Sequence, residues 1–323
     1  MKLEYMDICP TWRCNAKCPT CNSYTLGSTT ISRAQIDAIL LEKRFNDLRR
    51  VIIEGGEPTL WNDLCYFIDG MLKKDTRKVC VISNGFKTKT LIEVADLFRN
   101  EQKRLLFYFS LNGIGEMHDA SRGVKNVFSK TVKSAKAMKA YGFFVSFSFV
   151  GLKKNIGEYD DVVSLGRSLG IPVAVCYYTH RTKFGDHEWE AASEQQYNEL
   201  LNQRLHAYKG FARRAYRLFL NNVRAKKLLP CDAGKTMVHI DPDGFVRPCH
   251  MDNSMSIGKV TDSGVVWDSG AKLERTLARI PEKCQYQNRN GNIELCNDCY
   301  IMFTLLRNKW RTEYQALKQR IGG

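Results

Sequence analysis

Cys14-Asn-Ala-Lys-Cys18-Pro-Thr-Cys21 follows closely on the apolar stretch Leu3–Ile8, and the rest of the chain is read outward from this segment. Three thiols within eight residues can converge on one inorganic centre, and thiolates are the ligands that iron–sulfur clusters take. A cubane has four irons, so three thiolates leave one iron without a protein ligand. That iron is open for chemistry, as in catalytic rather than structural metal sites. The spacing i, i+4, i+7 is also one helix face, and a free cysteine is often just a small buried hydrophobe. Pro19 interrupts such a helix, and Asn15, Lys17 and Asn22 give the segment a loop's composition.

The second motif is Gly55-Gly56-Glu57-Pro58, between the strand-like Arg50–Glu54 and a helix expected from Trp61. Two glycines let backbone approach a ligand closely or take positive φ, and Glu57 sets a carboxylate beside that bare backbone. Alone, this is an ordinary strand-to-helix turn. Together with CxxxCxxC it resembles the radical S-adenosylmethionine superfamily. The resemblance implies a [4Fe–4S] cluster on Cys14, Cys18 and Cys21 whose open iron is chelated by the amine and carboxylate of S-adenosylmethionine. It also implies that Gly55, Gly56, Glu57 and Pro58 lie at the cofactor's amino group, and that reductive cleavage yields a 5′-deoxyadenosyl radical that abstracts hydrogen from substrate. The chain departs from the family at Thr20, where an aromatic residue near the adenine is usual.

A chain of 323 residues suits one large unit with an appendage, and a 44% hydrophobic content is ordinary for a globular protein. It has no run of about 18 apolar residues, and Met1-Lys-Leu-Glu-Tyr lacks a basic-then-apolar signal, so a soluble, cytoplasmic protein with no membrane partner is expected. Twelve cysteines without a secretion signal read as metal ligands rather than disulfides, with Cys9, Cys65, Cys80 and Cys176 left over as buried or near-site thiols. The net charge of +15 biases partners toward anions, without choosing among phosphorylated small molecules, acidic peptides and nucleic acid.

To about residue 180, apolar runs alternate with amphipathic segments. Expected strands are Leu3–Ile8, Arg50–Glu54, Lys78–Ser83, Leu105–Ser110, Phe143–Val150 and Pro172–Tyr178; expected helices are Ser32–Arg44, Trp61–Lys73, Thr88–Phe98, Val127–Tyr141 and Tyr159–Leu169. Six βα alternations predict an α/β fold of parallel strands joined by right-handed crossovers, with the active site at the strands' C-terminal ends. This matches the partial (β/α)6 barrel that the resemblance implies. The strand ends carry Ser83, Asn84 and Ser110, and the loop after strand four carries Arg122. Ser and Asn suit ribose hydroxyls and Arg a carboxylate, and the resemblance places these four residues at the cofactor. The same sequences are also standard turns. Strand six runs into Tyr178, His180 and Arg181 at the barrel mouth, where a substrate contact competes with an ordinary polar surface.

Residues 191–229 change character, with helical apolar spacing and, between Arg204 and Lys227, eight basic residues and no acidic one. Basic stems covering apolar surface would explain this, as would a face for a polyanion such as RNA. Farther on, Asp241-Pro-Asp-Gly244 reads as a hairpin turn that returns Cys249 toward Cys231, and Cys296-Asn-Asp-Cys299 can close a four-thiolate centre. This resembles the twitch domain, a shorter relative of the SPASM domain, and implies an auxiliary [4Fe–4S] cluster on Cys231, Cys249, Cys296 and Cys299. Zinc suits four sulfurs too. Cys284 is left as a substitute ligand, a thiol acting on the substrate radical, or an inert group.

The expected organisation is a barrel over 1–185, a basic helical connector over 186–229, and a cysteine-rich α+β twitch-like domain over 230–323 that ends in an amphipathic helix, Tyr300–Ile321. The expected activity is modification of a peptide or small polar metabolite, served by an electron donor such as flavodoxin or ferredoxin. Little sequence precedes Leu3, which disfavours leader-dependent peptide maturation. RNA is the alternative substrate, and a metal-stabilised nucleic-acid-binding or sensing protein the non-catalytic alternative.

Overall fold

The computed structural model describes residues 2–176, 233–250 and 254–279, with single positions between 189 and 202. Tyr178, His180, Arg181, the basic segment 204–227, Cys231, Cys284, Cys296, Cys299 and the helix expected over 300–321 lie outside the described residues.

Six strands follow the expected alternation: β1 (Tyr5–Ile8), β2 (Arg50–Ile53), β3 (Val79–Ser83), β4 (Leu105–Ser110), β5 (Phe144–Val150) and β6 (Val173–Cys176). They pair in parallel in sequence order, each joined to the next through a helical crossover. The crossovers carry α1 (Arg33–Leu41), α2 (Leu64–Lys73), α3 (Thr88–Leu97), α4 (Glu116–Arg122), α5 (Phe128–Ala140) and α6 (Tyr159–Leu169). Period-2 alternation sorts the side chains. Met6, Ile8, Val51, Ile53, Val79, Val81, Phe107 and Phe109 join the helices in one apolar core, whereas Ile52, Cys80 and Leu106 form a separate small cluster on the other face. The architecture is the expected partial (β/α)6 barrel, and the second face is its lumen.

Helix boundaries have local causes. Ser32 is the cap of α1 rather than its first residue: its hydroxyl accepts the Gln35 N–H at 3.1 Å and the Gln35 side chain accepts the Ser32 N–H at 2.9 Å. α1 stops at Leu41, and Lys43–Phe45 forms a separate 3₁₀ turn. The segment after strand four, expected as a loop, contains α4. Its seven residues are too few to show a helical period, and they end at Gly123 in the left-handed conformation.

The C-terminal strands continue the barrel sheet. β7 (Met237–Ile240) pairs in parallel with the free edge of β1, followed by antiparallel β8 (Phe245–Arg247), β9 (Gly258–Thr261) and β10 (Gly264–Trp267), and then α7 (Gly270–Ala278). The expected hairpin joins β7 to β8. Its Gly244 has φ +81°, and a Cβ there would lie 2.6 Å from the Val260 carbonyl. Among the described residues, no helix is long and apolar enough to cross a membrane.

Candidate active site

β1 delivers the CxxxCxxC loop to the top of the sheet, where neighbouring segments hold it. Gly56 N–H donates to Thr11 O at 3.0 Å, Glu57 N–H to Arg13 O at 2.9 Å, and Lys17 N–H to Arg122 O at 2.8 Å. A Cβ at Gly55 would strike the Cys9 thiol, and one at Gly56 the Arg13 carbonyl. The glycines therefore already serve a close approach within the chain, that of the cysteine loop to the end of β2.

Glu57 is buried, and its carboxylate is engaged by the chain itself. Oε1 accepts Thr59 Oγ1 and Ser83 Oγ at 2.7 Å each and Thr59 N–H at 3.1 Å; Oε2 accepts Asn84 N–H at 2.7 Å. Burial pushes its carboxyl upward, while these donors pull it down. Ser83 also accepts Gly85 N–H at 3.0 Å, and Asn84 donates to Asn15 Oδ1 at 2.7 Å while accepting Phe86 N–H at 3.0 Å. These three side chains fix the ends of β2 and β3 against the cysteine loop. Pro58 stands back from the cavity, opening the buried 3₁₀ turn Pro58–Leu60.

Arg122 is different. Its Nη1 lies 3.7 Å from the Cys18 sulfur, and its Nε and Nη2 are buried with no partner among the described residues. A buried guanidinium with two orphan donors is costly unless an anionic acceptor fills the space. A nearby anionic iron–sulfur core or a ligand carboxylate would meet that need. The residue types fit as well: Cys14, Cys18 and Cys21 are free, half-buried thiols lining one cavity. Burial pushes the Cys14 thiol up to about 12 and raises that of Cys21, so both are protonated until a metal cation displaces the proton.

The cavity, about 280 Å³, brings together the three cysteines, Gly55, Gly56, Glu57, Ser83, Asn84, Ser110 and Arg122. It also takes in Asn112, His239 and His250, which were not singled out from the sequence. Asp7 and His239 sit in register on β1 and β7 with both side chains buried, and His239 Nδ1 lies 3.0 Å from Asp7 Oδ2. His250 Nδ1 is 4.0 Å from the same oxygen. An aspartate between Met6 and Ile8 was the available signal, since it marks a polar lumen face on an otherwise apolar strand.

His118, on α4, is fully buried and tightly constrained. Its Nδ1 accepts Asn112 N–H at 3.2 Å, which leaves the proton on Nε2, 3.3 Å from Thr131 Oγ1. Burial and the Arg122 charge lower its pKa to about 2, so the ring is neutral. Cys249 is half-buried beside the Ala233–Met255 cluster.

Comparison with known proteins places this geometry in a family. The profile of the radical SAM superfamily matches residues 8–166, and that of an iron–sulfur cluster-binding domain, SPASM, matches residues 231–300. A pre-heme d1 synthase of Dinoroseobacter shibae is 26% identical over 169 residues, 50% of this chain and 40% of that protein. A probable GTP 3′,8-cyclase of Saccharolobus islandicus is 28% identical over 176 residues, 52% of this chain and 54% of that protein. The chain thus spans about half the length of these relatives. A GTP 3′,8-cyclase of Aliarcobacter butzleri is 21% identical over 311 residues, 90% of this chain and 94% of that protein. Among solved structures, native anSMEcpe with bound AdoMet has a TM-score of 0.62 at 16% identity, covering 98% of both chains. Streptococcus suis SuiB bound to the precursor peptide SuiA has a TM-score of 0.61 at 16% identity, covering 88% of this chain and 65% of that one. At these identities the structures speak for the fold. The two profiles imply a 4Fe–4S cluster with S-adenosylmethionine at the first site and auxiliary iron–sulfur, rather than zinc, in the C-terminal segment. The chain belongs to the radical S-adenosylmethionine superfamily and carries a C-terminal domain of the SPASM type.

Proposed function

We propose that this enzyme abstracts a hydrogen atom from a peptide or a small polar substrate held in the barrel lumen, and that the C-terminal iron–sulfur site assists a net oxidation. One observation carries the reading: the three thiols, the orphaned Arg122 donors, His239 and His250 share one cavity, with Asp7 hydrogen-bonded behind His239. Cys14, Cys18 and Cys21 hold the cluster that, with S-adenosylmethionine, supplies the 5′-deoxyadenosyl radical. Arg122 would offer its buried N–H groups to the cofactor's carboxylate, Ser110 a hydroxyl to the ribose, and the Gly55–Glu57 backbone its polar groups to the amine. Glu57, Ser83 and Asn84 act by holding that backbone in place.

Asn112, His239 and His250 line the cavity beside the cysteines, and they would favour a ligand that can hydrogen-bond over a purely apolar one. Cys231, Cys249, Cys296 and Cys299 would hold the auxiliary cluster, which would supply an acceptor for one electron from the substrate radical; with a proton passing to a basic group, the net change would be a two-electron oxidation. Tyr178, His180 and Cys284 are further candidates for substrate contact.

The test is anaerobic incubation of cluster-loaded protein with S-adenosylmethionine and dithionite. 5′-Deoxyadenosine is expected from the wild type and not from the Cys14, Cys18, Cys21→Ala variant. A wild type that holds its cluster yet yields none would sink the proposal. RNA is kept as a second substrate reading because residues 204–227 are basic without a single acid. It requires RNA binding that weakens steeply with salt, and absence of binding at low salt removes it.

A further inference from the structure

Between Asp119 and Glu158 the chain has eight basic residues and no acidic one, and the fold sets the start of this run, Arg122 and Gly123, against Lys17 of the cysteine loop. Lys125, Lys130, Lys133 and Lys136 are exposed on the α4–α5 junction and one arc of α5, and Lys17 is exposed within the CxxxCxxC loop itself. None of the five makes an ion pair among the described residues. The nearest acid in sequence is already occupied: Asp119 caps α5, its Oδ1 accepting Val127 N–H at 3.0 Å and Phe128 N–H at 2.8 Å. Lys139, by contrast, is tied to the Leu169 and Gly170 carbonyls at 2.6 and 2.7 Å. Its charge has a structural use, and the other four have no such partner among the described residues.

The patch also has an apolar floor. Phe128 and Val132 form the base of a shallow hollow rimmed by Ser129, Lys133 and Lys136. Behind it, the Phe128 ring meets His118 edge-on at 6.1 Å between centroids. One turn along the same helix, Arg122 reaches Cys18 at 3.7 Å, and its carbonyl receives the Lys17 N–H. The hollow is therefore linked to a cluster ligand through a single short helix, α4.

We propose that this face docks an acidic, low-potential one-electron carrier protein, which delivers one electron to the cluster at Cys14, Cys18 and Cys21 and is itself oxidised by one electron. The inference rests on the radical reading of the site. Charge complementarity fixes the sign of the partner. The apolar floor inside a lysine rim is the anatomy of a protein interface rather than of a phosphate groove, which would gain nothing from Phe128 and Val132.

The experiment compares wild type with Lys125, Lys130, Lys133, Lys136→Glu and with the matching Gln variant, using acidic flavodoxin as the probe. Two quantities are read: the Kd of the complex, which requires no cluster, and the rate of cluster bleaching by flavodoxin hydroquinone in the loaded protein. In the Glu variant at low salt, Kd should rise and the bleaching rate fall about tenfold or more, with the Gln variant between. The difference should shrink at high salt, and dithionite should bleach all three alike. Unchanged Kd and rate would overturn the proposal, as would a variant that loses RNA binding instead of flavodoxin binding, or one slowed equally with dithionite. If no cluster assembles but Kd still shifts, docking stands and the radical reading falls.

Discussion

The two faces of the same strands carry opposite chemistry. On β1, Met6 and Ile8 are fully buried in the core shared with the helices, while Asp7 between them turns to the lumen and meets His239. On β4, Phe107 and Phe109 stack within that core at 6.3 Å between ring centroids, and Ser110 opens on the cavity. The helix-side face is one continuous apolar layer; the lumen face is broken into small clusters separated by ionisable groups. Alternation along a strand thus separates stability from chemistry at intervals of one residue.

Four substitutions probe that separation. Cys18→Ser, on the site side, should abolish 5′-deoxyadenosine formation while leaving the unfolding free energy of the metal-free protein within about 0.5 kcal/mol of wild type. A large loss of stability in urea would show that the loop also holds the fold. Phe107→Ala, on the helix side, should cost about 3–5 kcal/mol in urea unfolding, because it opens a cavity in a fully buried layer. If it instead unfolds as the wild type does but cannot load its cluster, the two faces are not separable. Arg122→Gln should weaken S-adenosylmethionine binding about tenfold or more, the worth of charge-assisted hydrogen bonds, with little loss of stability because two buried donors have no partner to lose among the described residues. Calorimetric titration of the cluster-loaded protein reads the first effect and thermal unfolding the second.

His118 gives the smallest effect and the sharpest sign. Its folded pKa is about 2 against an ordinary 6.5, so the folded state binds fewer protons. The stability this supplies is complete above pH 6.5 and drains as pH falls toward 2, by about 1.4 kcal/mol per unit. Urea titrations at pH 7.5 and 5.5 should therefore differ by about 1.4 kcal/mol more in the wild type than in His118→Gln. Equal differences would mean that the ring protonates without unfolding its surroundings.

The fold was legible because its signals are local. Period-2 apolar runs marked six strands, and β4 and α6 have the bounds the sequence suggests. CxxxCxxC and Gly-Gly-Glu-Pro were readable for the same reason. What stayed hidden depends on partners distant in sequence. Asp7 and His239 are 232 residues apart, and only the pairing of β1 with β7 brings them together. Nothing nearby in sequence announces Ser83 and Asn84 as the partners of Glu57. α4 was hidden by its length and by the flanking Gly113 and Gly115, both with positive φ.

The position of β1 has one more consequence. Earliest in sequence of the ten strands among the described residues, it lies inside the sheet, bounded by β2 and by a strand from beyond residue 230. That second edge is covered only by closing a loop of more than 200 residues, so if β1 to β6 pair first, the edge of β1 would expose unpaired backbone N–H and C=O groups until then. A chain ending after β6 would leave that edge uncovered. It is expected to scatter light on refolding where the full chain stays clear, and equal clarity would refute this. The C-terminal strands would then be, before anything else, the guard against self-association.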